Sequence, residues 1–135
     1  GRERLPGLWN DVHAIVDYGH ANGMVDGCLV MPRDWPFTSA LKVLCEGGAV
    51  ELLFRAGGVS VEMGGGTSLL VHEPGKAWTL PPKPGNAYDN QAEAFVDCVR
   101  RGVQPVLGTP EQARLAVAVC NAARRSLESG EVARL

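Results

Sequence analysis

Two short stretches hold residue types that can do chemistry. In MPRDWPFT, residues 31–38, two large aromatics, Trp35 and Phe37, flank a proline, with Arg33 and Asp34 beside them. Aromatic rings on a stiff loop can wall a ligand pocket, and an arginine there can bind an anion or a hydroxyl. The same residues suit a hydrophobic plug over the end of a sheet. In FVDCVRRGVQP, residues 95–105, Cys98 lies two positions before Arg100 and Arg101. Positive charge near a thiol can make it a reactive thiolate. Here, however, the arginines fall in the last turn of a predicted helix, whose negative dipole end opposes the thiolate. Cys98 is expected to pack at the edge of an apolar stripe, and a thiol enzyme built on it is not expected.

Tyr88 stands at the start of that helix. Its hydroxyl can reach a ligand or a helix N-terminus, and its ring can equally pack on a sheet. The histidines, His13, His20 and His72, show no partner spacing that specifies a metal or a base. Surface or sheet-face positions are expected for all three. GGGTS, residues 64–68, lacks both the strand before and the helix after that a phosphate loop requires, so it reads as a β-turn. No Walker lysine pattern and no G-x-S-x-G elbow occurs. No catalytic, metal-binding or cofactor-binding residue is therefore assigned to this chain.

The elements that must position these residues change character along the chain. DVHAIVDYG alternates, with Val12, Ala14, Val16 and Tyr18 on one face and His13, Ile15 and Asp17 on the other. HANG is expected to turn the chain and MVDGCLVMP to pair back. TSALKVLC and AVELLF read as strands around EGG, and VSVEM, SLLVH and AWTL as shorter strands separated by RAGG, GGGT and EPGK. Most of the 17 glycines fall at these turns. After the stiff connector PPKPG, Tyr88, Ala92, Phe95, Val96 and Val99 recur at helical spacing. Gly102 then suits the residue just past a helix, and Pro105 prevents its continuation. A second helix starts at Thr109, with Pro110 at its first position and Gln112 completing a capping box. Ser129-Gly130 ends it, and EVARL is expected to add a short final strand.

Strands first and helices last predict an α+β fold in a single domain spanning residues 1–135. The expected architecture is a mostly antiparallel open sheet of about six or seven strands, with two C-terminal helices packed on one face. Several strands carry apolar residues on both faces. The second sheet face is therefore expected to be buried by another subunit or domain.

With 135 residues, Lys+Arg 13 and Asp+Glu 15, the chain lacks the basic surplus of a nucleic-acid or anionic-membrane binder. No apolar run reaches bilayer length, and the first residues show no signal-peptide h-region. Cys28, Cys45, Cys98 and Cys120 lie far apart, without zinc spacing. They read as reduced core cysteines of a cytoplasmic protein.

In order and spacing, the segment from AYDNQAEAFVDCVRRGVQP to the end resembles the C-terminal part of the Gfo/Idh/MocA oxidoreductases. The matching residues are Tyr88, Phe95, Gly102, Pro105, Ala122, Ala123, Ser126 and Gly130. NGMVDGCLVMP and LKVLCEGGAVEL resemble strand pairs of the same family, with Cys45 standing where that family often has a glycine. The resemblance implies a substrate and oligomerisation domain from an NAD(P)-dependent dehydrogenase acting on a sugar, polyol or related compound. It implies a homo-oligomer formed through the open sheet face. It also implies that Tyr88, Trp35, Phe37 and Arg33 lie on the substrate side. The family's Rossmann domain, its E-K-P lysine and its D-x-x-x-H histidine are missing from this sequence, so NAD or NADP would bind the parent enzyme and not this chain alone. A stand-alone binding or assembly module of the same fold is the alternative.

Overall fold

Turn chemistry decides where the strands pair. Gly19 adopts φ +79, and its N–H donates to Asp17 Oδ1 at 2.7 Å. Tyr18 N–H donates to the Ala21 carbonyl at 2.9 Å, closing a two-residue hairpin loop with glycine at its first central position. The turn is thus Tyr18–Ala21 and not HANG; Asn22 and Gly23 already belong to a strand. Gly23 is needed there for a different reason. A Cβ on it would press within 3.3 Å of the Tyr18 ring.

The computed structural model describes residues 2–5, 8–60 and 63–135. Its elements are β1 (Arg2–Leu5), β2 (Leu8–Asp17), β3 (Asn22–Cys28), β4 (Thr38–Cys45), β5 (Gly48–Ala56), β6 (Gly65–Glu73), β7 (Lys76–Leu80), α1 (Ala87–Arg101) and α2 (Pro110–Ser129). The fold is α+β and all strand pairing is antiparallel. The expected single sheet is instead two: β2 and β3 with the short β1 at the edge, and β4-β5-β6-β7. The physical reason lies at residues 31–37, where two prolines and the turn Pro32–Trp35 replace the ladder that would have continued from β3 to β4. Residues 61–62, within the expected strand VSVEM, lie outside the described residues. EVARL forms no strand.

The chain divides into two compact units, Gly1–Val30 with Asn86–Leu135, and Met31–Gly85. In the first, the β2 pattern holds except at Tyr18: expected on the buried face, it lies in the turn and is 57% exposed. Val12, Ala14 and Val16 are half-buried, whereas His13 is exposed and Ile15 is 81% exposed. Val12, Ala14 and Val16 border one cavity of about 630 Å³ together with Val119, Ala122 and Leu127 of α2. Residues 132–135, the expected strand, border it as well. In the second unit, register places Leu41, Leu52, Leu69 and Leu80 side by side across all four strands, with Val43, Val50, Val71 and Trp78 in the adjoining row. That is a nearly continuous apolar face, yet Leu41 is 59% and Val43 45% exposed.

Both helices end as their sequences dictate. Past α1, Gly102 takes φ +64; its N–H reaches the Val99 carbonyl and the Val103 N–H reaches the Cys98 carbonyl, a Schellman motif. Before α2, Thr109 Oγ1 accepts from Gln112 N–H at 3.3 Å while Gln112 Oε1 accepts from Thr109 N–H at 3.2 Å. The α1 stripe does not find cover, because Phe95 is 61% and Val99 64% exposed.

Candidate functional site

The loop before β4 is built by local bonds. Trp35 N–H donates to the Pro32 carbonyl at 3.1 Å, and Asp34 takes φ +66, a left-handed conformation that aspartate tolerates better than most residues. Two further backbone bonds hold the loop's end, from Phe37 N–H to the Gly58 carbonyl and from Ala56 N–H to the Phe37 carbonyl. Thr38 Oγ1 donates to the Pro36 carbonyl at 3.0 Å. Phe37 meets Phe54 with ring centroids 6.3 Å apart and planes tilted 55°. The guanidinium of Arg55 lies 6.0 Å from the centre of the Trp35 ring, at the outer limit of cation–π attraction. Trp35, Phe37 and Arg33 are all exposed. The loop therefore presents an aromatic and cationic surface held on a fixed backbone. The chemistry available to it is stacking against an apolar ring face and hydrogen bonding to oxygen.

Tyr88 belongs to the other unit. Its N–H donates to Asn86 Oδ1 at 2.8 Å, so Asn86 caps α1, while the Tyr88 side chain stands 74% exposed. Within its unit the ring packs little. Arg33, Trp35 and Phe37 thus share one loop, and Tyr88 sits on a separate element of a separate unit.

Arg55 was not marked by sequence reasoning, although a signal existed. Counting back from the EGG turn pairs Cys45 with Gly48 and hence Thr38 with Arg55, beside the loop. Asp26 was missed for the opposite reason. His13 lies between two carboxylates, with Nδ1 2.6 Å from Asp26 Oδ1 and Nε2 3.3 Å from Asp11 Oδ1. Placing the turn two residues too late breaks the true register, in which His13 faces Asp26.

The thiols carry no chemistry of note. Cys98 is half-buried, and Arg101 is engaged with Asp97 at 3.0 Å. All four cysteines are free thiols, but Cys28, Cys45 and Cys120 are exposed and not in a core. The apolar faces that carry them are largely uncovered. No group of metal-ligating side chains occurs among the described residues. Nor do the residues present fit a dinucleotide. GGGTS is not the expected β-turn: Gly65–Ser68 already pair with β5 as the start of β6, because a glycine at 65 lets the two strands approach where a Cβ would collide with the Arg55 carbonyl. The N-termini of α1 and α2 are taken up by Asn86 and by the Thr109–Gln112 box. No described helix is long and apolar enough to cross a membrane. In comparisons with known proteins, no family model, no curated protein and no solved structure matches the chain.

Proposed function

We propose that this chain is the substrate-side and oligomerisation part of an NAD(P)-dependent oxidoreductase acting on a sugar, polyol or related compound, and that it is inactive alone. The observation that carries the reading is uncovered apolar surface. The chain exposes 11243 Å², whereas two separate compact bodies of these sizes expose roughly 8,200 Å² in all. Such a surface fits a piece of a larger assembly. In this reading the Leu41–Leu52–Leu69–Leu80 face is covered by another copy, and Arg33, Trp35 and Phe37 on their loop border the substrate; Tyr88, in the other unit, is a separate candidate for such a role. The loop residues orient the substrate and exclude water, while an upstream lysine and histidine handle the proton. NAD or NADP supplies the hydride acceptor, held by the upstream domain and not by these residues.

The test has two parts. The reading frame upstream should encode a glycine-rich dinucleotide fingerprint and an E-K-P segment; their absence overturns the reading. In the complete enzyme, Trp35→Ala and Tyr88→Phe should each lower kcat/KM about tenfold, the equivalent of about 1.4 kcal/mol, with dinucleotide affinity unchanged. Unaltered kcat/KM in both variants removes these residues from the pocket. Calorimetry of this chain alone with NAD+ should show no binding.

A further inference from the structure

Helix α2 carries a second cluster that the proposed pocket does not use. Arg114, Ala118, Asn121 and Arg125 are spaced four, three and four apart, which sets them on one stripe of the helix. About 16 Å of helix axis separates the two arginines. Arg134 joins them from the segment after α2, with its carbonyl accepting from Arg125 Nη2 at 3.5 Å. These residues, with Leu115 and Leu135, line a groove of about 380 Å³, within the small-ligand size range.

The charge around this groove is not balanced by side chains. Among the described residues, no carboxylate pairs with Arg114, Arg125 or Arg134. The acids of α2 are engaged elsewhere. Glu128 holds Arg124 at 3.3 Å, and the Glu111 carboxyl is held below its ordinary value first by its own backbone N–H and then by the Thr109 hydroxyl. Three arginines thus line one groove in a chain whose net charge is −2. Arginine's planar fork suits the paired oxygens of phosphate and carboxylate. Leu115 and Ala118 supply an apolar floor beside it.

We infer that this groove binds a small molecule bearing a phosphate or carboxylate group, through Arg114, Arg125 and Arg134. The site uses none of the residues proposed for the substrate pocket, so it stands or falls independently of that reading.

Isothermal calorimetry of the chain with inorganic pyrophosphate, and separately with citrate, tests it at about 0.15 M salt, where weak surface attraction is screened. Binding of at least one of them is expected, at a Kd below about 1 mM; the preferred anion identifies the group recognised. Arg125→Gln and Arg114→Gln should each weaken that binding about tenfold or more, and Arg125→Lys should recover only part of it. Arg124→Gln, which removes the arginine already paired with Glu128, should leave it unchanged. Circular dichroism of each variant checks that the helix persists. No binding of either anion overturns the inference. So does equal affinity in the Arg114 and Arg125 variants, or equal loss in Arg124→Gln.

Discussion

The two sheets of this molecule solve the same problem differently. The β2–β3 hairpin has a helix beside one face, and its side chains sort accordingly: Ala14 is half-buried while its neighbour Ile15 is 81% exposed. The four-stranded sheet has no α-helix among the described residues of its own unit. It relies on strand pairing, on cross-strand leucine and valine rows, and on an apolar loop at one end. Hydrogen-bonded ladders set its register without setting what lies on its faces. A sheet can therefore be fully specified in pairing and still be incomplete in packing.

The turns that open the two sheets give the largest contrast. Gly19 and Gly48 both occupy left-hand φ space, at +79 and +155. Around Gly19 a Cβ would meet nothing, whereas at Gly48 it would run into the His72 carbonyl of β6. Gly19→Ala should cost about 1 kcal/mol, from the conformation alone. Gly48→Ala adds a collision with a central strand and should cost about 3 kcal/mol or more. Urea unfolding of the two variants checks this; equal losses would mean that the close approach of β5 and β6 contributes nothing.

The next effect concerns the open face. If another copy covers the four-stranded sheet, Leu52→Glu should raise the dissociation constant of the oligomer about 30-fold or more, since a desolvated charge costs at least 2 kcal/mol. Leu52 is 36% exposed in the single chain, so folding should tolerate the change better than association does. Light scattering across a concentration series measures it. A chain that stays monomeric at high concentration, or an oligomer indifferent to Leu52→Glu, breaks the proposed distinction between the sheets.

These contrasts also show what the sequence made legible. Helix boundaries were readable, because Thr109, Gln112 and Gly102 act through the backbone next to them. Strand faces were readable for the same local reason, as in Val12, Ala14 and Val16. The first turn was not, because Asn22-Gly23 is a stronger short-range turn signal than Gly19-His20, and the Asp17 bond to Gly19 that favours the true turn leaves no mark in spacing. The division into two sheets depends on what residues 31–37 do after β3, a non-local outcome. Among candidate residues, Arg33, Trp35 and Phe37 fall on one loop as their adjacency demands. Arg55 needed the register of β4 and β5. The arginine groove needed both the α2 periodicity and the position of the segment after it.

A smaller effect separates the two helices. α1 is capped by Asn86 alone, whereas α2 has a reciprocal box. Thr109→Ala removes the acceptor of the Gln112 N–H and should cost about 1 kcal/mol, but the return bond from Thr109 N–H to Gln112 Oε1 uses the backbone and survives. Asn86→Ala leaves α1 without a second capping bond of this kind and should cost somewhat more. Thermal unfolding compares them, and a larger loss at Thr109 would contradict the ranking.

The smallest expected effect is electrostatic and tests whether the ladder charges matter at all. Glu51 faces Lys42 across β4 and β5, with Nζ and Oε1 2.9 Å apart. The Lys42 hydrogen bond comes first in holding its carboxyl below the ordinary value, aided by the charges of Lys42 and His72 against some desolvation. Glu111, at the start of α2, is lowered mainly by its own backbone N–H and then by the Thr109 hydroxyl. A carboxylate lowered on folding stabilises the native state above its unfolded pKa. That contribution is lost as pH falls through the folded pKa. Glu51→Gln and Glu111→Gln should therefore melt below the parent at pH 7 and converge with it in acid, below the ordinary carboxylate range. Salt should divide the pair: Lys42 and Glu51 are both exposed, so added salt should shrink the Glu51 difference more than the Glu111 difference, which rests first on a hydrogen bond to the backbone. Melting temperatures at pH 7 and pH 3, each at low and high salt, read both, and equal screening of the two would show that Glu111 is held by charge and not by its cap.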